Sequence, residues 1–210
     1  MDQSIFAELL FDIHKYYPIG APTIKTAHED KIREKMVEKL EQETKHDSHW
    51  QNVIRKFRKL GVSHVENMSY MHFPALKASL DSDHEMEGMR VRKSLVVCIS
   101  LLTPYYTYYY RYSHCVKLDV GCSELGYWIF QNDKKFSSLK PSVDLEFIAS
   151  IVQANFPNYK FIEHYLLMIN KIHGGLPFGF DKQYYLPADY TYYQFLFDPN
   201  ESIHEFDVRP

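Results

Sequence analysis

Hydrophobic positions in the N-terminal part of the chain recur at the spacing of an α-helix. Ile5, Leu9 and Ile13 share one face of the first predicted helix. In the second, a narrow apolar stripe among Glu and Lys residues is formed by Ile32, Met36 and Leu40. These patterns predict helices over 4–17 and 26–45. A third helix is predicted over 48–60, with Ser48 as its N-cap and Gly61 at its C-terminal end.

From residue 62 the period of the pattern changes from helical to alternating. A continuous apolar centre at 91–102 is typical of a strand in the middle of a sheet. The remaining alternating or β-favouring stretches predict further strands. The predicted strands cover 65–73, 91–102, 105–112, 115–120 and 125–130, and the polar stretch 81–88 is interpreted as a link between the first two.

After Pro141 the spacing again becomes helical, which predicts helices over 143–155 and 159–172. The aromatic stretch 190–197 is interpreted as an edge strand. Helices, then strands, then helices indicate the α+β class, with a mainly antiparallel sheet of four to six strands flanked by N-terminal and C-terminal helices. We expect one domain over 1–210, made of four segments: helical 1–60, sheet 62–130, helical pair 141–173 and aromatic tail 176–210.

The composition excludes some classes of function and leaves others open. The net charge of −3 gives no attraction to nucleic acid or an anionic membrane, so we expect neither as a partner. Three cysteines without a CxxC pair indicate a reducing compartment. The N-terminus lacks a basic and long apolar leader pattern, and no apolar run is long enough to span a bilayer, so we expect a cytoplasmic protein.

The motifs that usually mark a catalytic or cofactor site do not occur in the sequence. GxSxG, HExxH, GxGxxG and the P-loop pattern are all absent, and we expect no catalytic site, no metal and no cofactor. One alternative is a hydrolase of unfamiliar type that uses His84 with nearby carboxylates as general acid and base.

A second alternative is single-stranded nucleic-acid binding. The basic run 55–59 begins at Arg55, ends at Lys59 and would contact phosphates, while the tyrosine-rich strand 105–112 would stack bases. The slight overall acidity argues against this alternative, since contacts to a phosphate backbone need many cations.

The leading hypothesis comes from the tyrosines, of which the chain has 17. In the run 105–112, alternation places Tyr105, Tyr109 and Arg111 on one face, and we expect this face to point outward if the other face packs on helices. Tyr and Arg are enriched at binding hot spots. The pattern therefore predicts a non-enzymatic protein-binding domain, such as an immunity protein that blocks a toxin by steric occlusion.

Acidic side chains give this hypothesis an electrostatic component. Asp81, Asp83, Glu85 and Glu87 fall in the predicted link, where they would attract a basic partner and raise its association rate. A homodimer sealed by a tyrosine-rich edge is the other option that the sequence leaves open.

Overall fold

The computed structural model describes residues 3–17, 26–86, 89–118, 121–130, 143–179 and 189–200. Three helices come first along the chain, followed by five strands and then by shorter helices and strands. The helices within the described residues are α1 (Gln3–His14), α2 (Thr26–Thr44), α3 (His49–Phe57), α4 (Leu145–Asn155), α5 (His164–Ile169) and α6 (Tyr192–Leu196).

The strands form a large sheet and a small one. They are β1 (His64–Asn67), β2 (Ala75–Met86), β3 (Met89–Ser100), β4 (Tyr105–Leu118), β5 (Gly121–Phe130), β6 (Lys160–Phe161), β7 (Lys171–His173) and β8 (Asp189–Thr191). Strands β1 to β5 pair in sequence order as an antiparallel meander, and β6 pairs parallel to the start of β4. Strands β7 and β8 form an antiparallel pair. The predicted α+β class with a mainly antiparallel sheet is confirmed.

Successive residues of a strand point to opposite sides of the large sheet, and helices pack against part of each of the two faces that result. One face, which we call the α3 face, packs against α3 and α4. The buried apolar residues of this layer include Leu76, Leu80, Leu95 and Val97 from the sheet. From the two helices they include Trp50, Phe57, Ile148 and Val152. The other face, the α1 face, packs against α1, α5 and α6. The buried apolar residues of this second layer include Ala75, Val96, Tyr105 and Tyr109 from the sheet. From the helices they include Leu9, Ile13, Leu167 and Phe195.

The three N-terminal helices were predicted closely. The Ser48 hydroxyl caps α3 by accepting a hydrogen bond from the backbone of Gln51 at 3.2 Å. Gly61 adopts a φ of +70°, a left-handed conformation that favours glycine. Helix α1 ends at His14 and helix α3 ends at Phe57, so each of them was predicted three residues too long at its C-terminal end.

The strand prediction missed β2. The sequence 75–86 was divided between unassigned residues and a polar link, although Leu76, Ala78 and Leu80 alternate with Lys77 and other polar residues. The predicted strand 65–73 was too long, since β1 ends at Asn67 and turn residues follow. The two predicted strands 105–112 and 115–120 are one strand, β4, with a register shift against β5 between His114 and Cys115.

Two C-terminal predictions were wrong. Instead of one helix over 159–172, the structure has β6, the short helix α5 and β7, because Lys160 and Phe161 pair with the first residues of β4 and Lys171–His173 pair with β8. Instead of an edge strand over 190–197, it has mainly the helix α6. A capping box between Thr191 and Gln194 satisfies the first backbone groups of this helix.

Candidate binding site

The α1 face of the sheet is apolar at one end and polar at the other. Helices α1, α5 and α6 cover the apolar end. At the polar end, the strand positions that face the same way carry serines and charged residues, and several of them are buried: Lys77, Ser79, Asp81, Ser94 and Ser113. Buried polar side chains on a sheet face indicate a structural or binding role more strongly than buried apolar ones do. Their burial costs free energy unless they form hydrogen bonds or ion pairs.

A cavity of about 230 Å³ lies over this end of the sheet, and we call it the polar cavity. It is smaller than most sites for drug-sized ligands, which suits the entry of one functional group. Val96 and Tyr109 belong both to its lining and to the apolar core, so they mark the boundary between the two. The lining residues are Glu66, Met68, Lys77, Ser79, Asp81, Arg90, Arg92, Ser94, Val96, Tyr109, Arg111 and Ser113.

Strand register fixes how the floor of the polar cavity is arranged. Ser94 lies opposite Arg111 on β4, and Arg92 lies opposite Ser113, so the two arginines and two serines occupy alternate corners of a square. We call these four residues the Arg–Ser square. Corners that face each other across the two strands are about 4.5–5.5 Å apart, and diagonal corners are about 7–8 Å apart, in an antiparallel pair. Two guanidinium-bearing residues are therefore held close together on one sheet face.

Asp83 holds two of the arginines in place. Its carboxylate accepts a hydrogen bond from Arg92 Nε at 2.9 Å through one oxygen and from an Arg90 terminal nitrogen through the other. Burial raises the pKa of Asp83, but the hydrogen bonds and positive charges of Arg92 and Arg90 outweigh burial and lower the pKa below its ordinary value. The arginine side chains remain 40% and 41% exposed, so solvent or a ligand still reaches them.

Two more polar contacts stabilise the wall along β2. Lys77 Nζ lies 3.0 Å from Asp198 Oδ2, in a pair whose side chains are each only 9% exposed. This ion pair connects β2 to the residues that follow α6. On the same strand, the Ser79 hydroxyl donates to Asp81. The wall is thus built from side chains that are already ordered by one another.

An apolar lip lies next to the polar cavity. It is formed by residues 68–73, which connect β1 to β2, and Met68 itself lines the cavity. The Met68 backbone nitrogen donates to the Lys77 carbonyl oxygen at 2.7 Å, which fixes the start of the lip against β2. Tyr70 is 48% exposed and Met71 is 65% exposed. The lip therefore presents a large aromatic and a large apolar side chain to solvent.

The structure does not present Tyr105 and Tyr109 outward, so the expected exposure of these two residues was wrong. Tyr105 is fully buried, and its hydroxyl donates to Asp12 Oδ2 at 2.8 Å. Tyr109 is 1% exposed, and its ring stacks on the ring of His164 at a centroid distance of 4.0 Å. Helices cover this face as well as the opposite one, which the alternation of one strand does not reveal. Arg111 is half-buried and lines the polar cavity.

The acidic residues lie mainly in a strand instead of a solvated link, which corrects their expected setting. Asp81, Asp83 and Glu85 all belong to β2. Asp81 is buried, Asp83 is paired with two arginines, and Glu85 is exposed opposite Arg90 in the register. Glu87 lies outside the described residues. Asp81, Asp83 and Glu85 therefore do not form the solvated loop that was expected to attract a basic partner.

Within the described residues, the side chains considered for the two alternative sites point in different directions. His84 neighbours Asp83 and Glu85 on β2, and neighbouring strand residues point to opposite faces, so the imidazole and these carboxylates diverge. The basic run 55–59 begins on α3, which covers the α3 face, whereas Tyr105 and Tyr109 point to the α1 face. Because the rings of Tyr105 and Tyr109 are buried, they offer no surface on which bases could stack.

The alternation of polar and apolar residues along β2 and β3 is the sequence signal that corresponds to the polar cavity. In β2 and β3, polar residues repeat at every second position beside apolar ones, for instance Lys77, Ser79 and Asp81 against Leu76 and Leu80. Such a pattern ordinarily means a solvated face. Here the same positions are buried, so only the packing of the other elements distinguishes a cavity from an open surface.

The described part of the chain contains no cluster of three or more His, Cys, Asp or Glu residues placed to hold a metal ion. In the same residues, no helix is both long and apolar enough to cross a bilayer. No family model, curated protein or solved structure matches this chain. Its function is therefore inferred from the chemistry of the polar cavity and its lip.

Proposed function

We propose that this chain is a non-enzymatic protein-binding domain that recognises its partner with the polar cavity and the apolar lip. It acts as an antagonist, by occupying a surface that the partner needs for its own activity. The observation that carries the proposal is an ordered, arginine-lined cavity whose lining residue Met68 begins the segment that exposes Tyr70 and Met71. Tyr, Met and Arg are enriched in protein interfaces relative to other surfaces.

The order of the cavity wall supports binding by a surface that exists before the partner arrives. Asp83 holds Arg90 and Arg92, and Asp198 holds Lys77, so these long side chains lose little further freedom on association. Fixing a flexible side chain at an interface costs about 0.5–1.5 kcal/mol, and this cost is largely met during folding here. Such preorganisation favours recognition by shape and charge.

The chemistry of the lining supports binding rather than catalysis. Among the described lining residues are three serines but no histidine and no cysteine. A serine nucleophile usually needs an adjacent base such as histidine to activate it. A cytoplasmic location belongs to the same proposal, and the buried free thiol of Cys98 is compatible with it.

Filling the polar cavity tests the proposal. Ser94 is buried on the cavity floor, so Ser94→Trp places a large side chain where the partner would enter. Ser150→Trp is the matched control, because Ser150 is exposed on α4, which packs on the α3 face. Tagged wild type and both variants are used to capture partners from the source lysate, and quantitative mass spectrometry compares the captured proteins.

The proposal expects one stoichiometric protein that is captured by wild type and by Ser150→Trp but lost with Ser94→Trp. Circular dichroism and a thermal melt first establish that Ser94→Trp is folded. Met68→Trp, which alters the rim without changing the floor, provides a second obstruction if Ser94→Trp unfolds. Equal capture by the obstructed and control proteins would place the binding surface elsewhere and refute the proposal.

A further inference from the structure

The charges that line the polar cavity are not evenly distributed. Arginines line the β3 and β4 side of the cavity, whereas the β1 and β2 side carries the carboxylates of Glu66 and Asp81. Lys77 also lies on that side, where it is paired with Asp198. A ligand that enters the cavity therefore meets positive charge on one side. Arginine is the side chain best suited to bind an oxyanion, since its planar fork donates two parallel hydrogen bonds.

The Arg–Ser square concentrates donors at one place on the floor. Arg92 and Arg111 stand at diagonal corners, and the hydroxyls of Ser94 and Ser113 stand between them. Both arginines therefore present guanidinium groups, and both serines present hydroxyl groups, to the same part of the cavity. Asp83 lies directly opposite Arg92 in the register and accepts a hydrogen bond from its Nε at 2.9 Å, so one donor of Arg92 is already engaged.

We infer that the Arg–Ser square is a carboxylate-binding site that receives an acidic side chain from a protein partner. Arg111 and Arg92 donate to the carboxylate oxygens, and the hydroxyls of Ser94 and Ser113 complete its set of donors. The contact that Arg90 and Arg92 make with Asp83 is an example of the same chemistry within this chain. The part that concerns a protein partner rests on the proposed function, whereas the binding of a carboxylate does not.

The remaining charges favour a singly charged group over a more highly charged one. Glu66 and Asp81 line the same cavity and repel negative charge, so a carboxylate meets less repulsion there than a phosphate dianion does. The small volume of about 230 Å³ also limits the ligand to one such group with a short stem. The inferred partner is therefore acidic, the opposite of the basic partner expected when the acidic residues were placed in a loop.

The test uses the isolated full-length protein and a short peptide. Acetyl-Gly-Glu-Gly-amide is titrated at constant ionic strength while two-dimensional ¹H–¹⁵N NMR records the arginine Nε–Hε signals. The matched neutral ligand is the same peptide with Gln in place of Glu, and inorganic phosphate is titrated separately. Arg111→Gln is the site variant, and Arg58→Gln is its control, because Arg58 is exposed at the end of α3 on the other side of the sheet.

We expect the Glu peptide to shift the Arg92 and Arg111 signals. Its affinity should exceed that of the Gln peptide by at least about tenfold, because a hydrogen bond between two charged groups is stronger than one to a neutral amide by about that factor. Arg111→Gln should remove this preference, and Arg58→Gln should keep it. Arg92→Gln provides a second site variant if Arg111→Gln does not fold. Equal shifts with both peptides, or shifts no larger than those of Arg58, would overturn the inferred site.

Tighter binding of inorganic phosphate than of the Glu peptide would overturn the assignment to a carboxylate. The result is independent of the capture experiment, so the two proposals fail separately. If the Glu peptide binds at the Arg–Ser square but Ser94→Trp still captures the same protein as wild type, the carboxylate site stands and the proposed binding surface does not. The reverse result would retain the surface and reject the carboxylate.

Discussion

The ion pair between Lys77 and Asp198 is expected to make a large contribution to stability, and the substitution Asp198→Asn tests it. The two charged atoms are 3.0 Å apart, and both side chains are only 9% exposed. Removing the charge of one partner leaves the other charge in a poorly solvated place, which costs about 3–5 kcal/mol in buried pairs. We therefore expect Asp198→Asn to lower the free energy of unfolding by about 3 kcal/mol.

Urea unfolding followed by circular dichroism measures this loss, and a thermal melt gives an independent value. For a chain of this length, a loss of 3 kcal/mol corresponds to a fall in Tm of roughly 6–12 °C. The double variant with Lys77→Met and Asp198→Leu should recover most of the stability, because apolar side chains of similar size remove both charges at once. The matched control is Lys160→Met, which breaks the exposed pair with Glu8 and should change stability by less than about 1 kcal/mol.

The reasoning would be refuted by either of two results. The first is a change of less than about 0.5 kcal/mol for Asp198→Asn, as at an exposed site. The second is a double variant whose loss equals the sum of the losses measured for Lys77→Met and Asp198→Leu alone, because side chains in contact normally show a coupling of about 0.5–3 kcal/mol. Either result would mean that the Lys77–Asp198 pair does not contribute to stability in the way expected of a buried ion pair.

Three further predictions concern the N-cap of α3, the loss of stability at low pH and the loss of stability at high pH. Ser48→Ala should destabilise the protein by about 1 kcal/mol in urea unfolding, whereas Ser150→Ala, within the exposed side of α4, should have little effect. Because the pKa of Asp83 is lowered in the folded state, its contribution is present above the ordinary value of 3.8 and is lost as pH falls through the folded pKa. Asp83→Asn should thus lower stability at neutral pH, with a difference from wild type that shrinks in acid; a difference independent of pH would contradict this. Burial raises the pKa of Tyr159 to about 12, and burial with the hydrogen bond to Asp12 raises the pKa of Tyr105 further, so stability should fall as pH rises above the ordinary value of 10.0. The phenolate absorbance should then include a late cooperative step with unfolding, and a single gradual titration of all tyrosines would speak against it.

Local signals were sufficient for much of the fold. The helices α1, α2 and α3 each have an apolar stripe of helical period, and Ser48 is a capping residue in the expected place. The apolar centre of β3 likewise identifies a central strand. These features depend on neighbours in sequence, so the sequence alone shows them.

Elements that depend on distant partners were predicted poorly. Lys160 and Phe161 are extended because the start of β4 pairs with them, and the helical spacing of 159–172 contains no trace of that partner. The tail 190–197 is rich in β-favouring aromatics, yet the capping box at Thr191 and a buried environment make most of it the helix α6. In both segments tertiary packing overrides intrinsic propensity.

The sequence by itself determined the α+β class, the N-terminal helices and the placement of Arg111 on the same face of β4 as Tyr105 and Tyr109. Only the tertiary structure decided which side chains are buried. Tyr105 and Tyr109 belong to the core, and the serines and arginines of β3 and β4 form the floor of the polar cavity. The physical reason is that alternation assigns residues to one face or the other of a strand, whereas exposure depends on the helices and strands packed over each face.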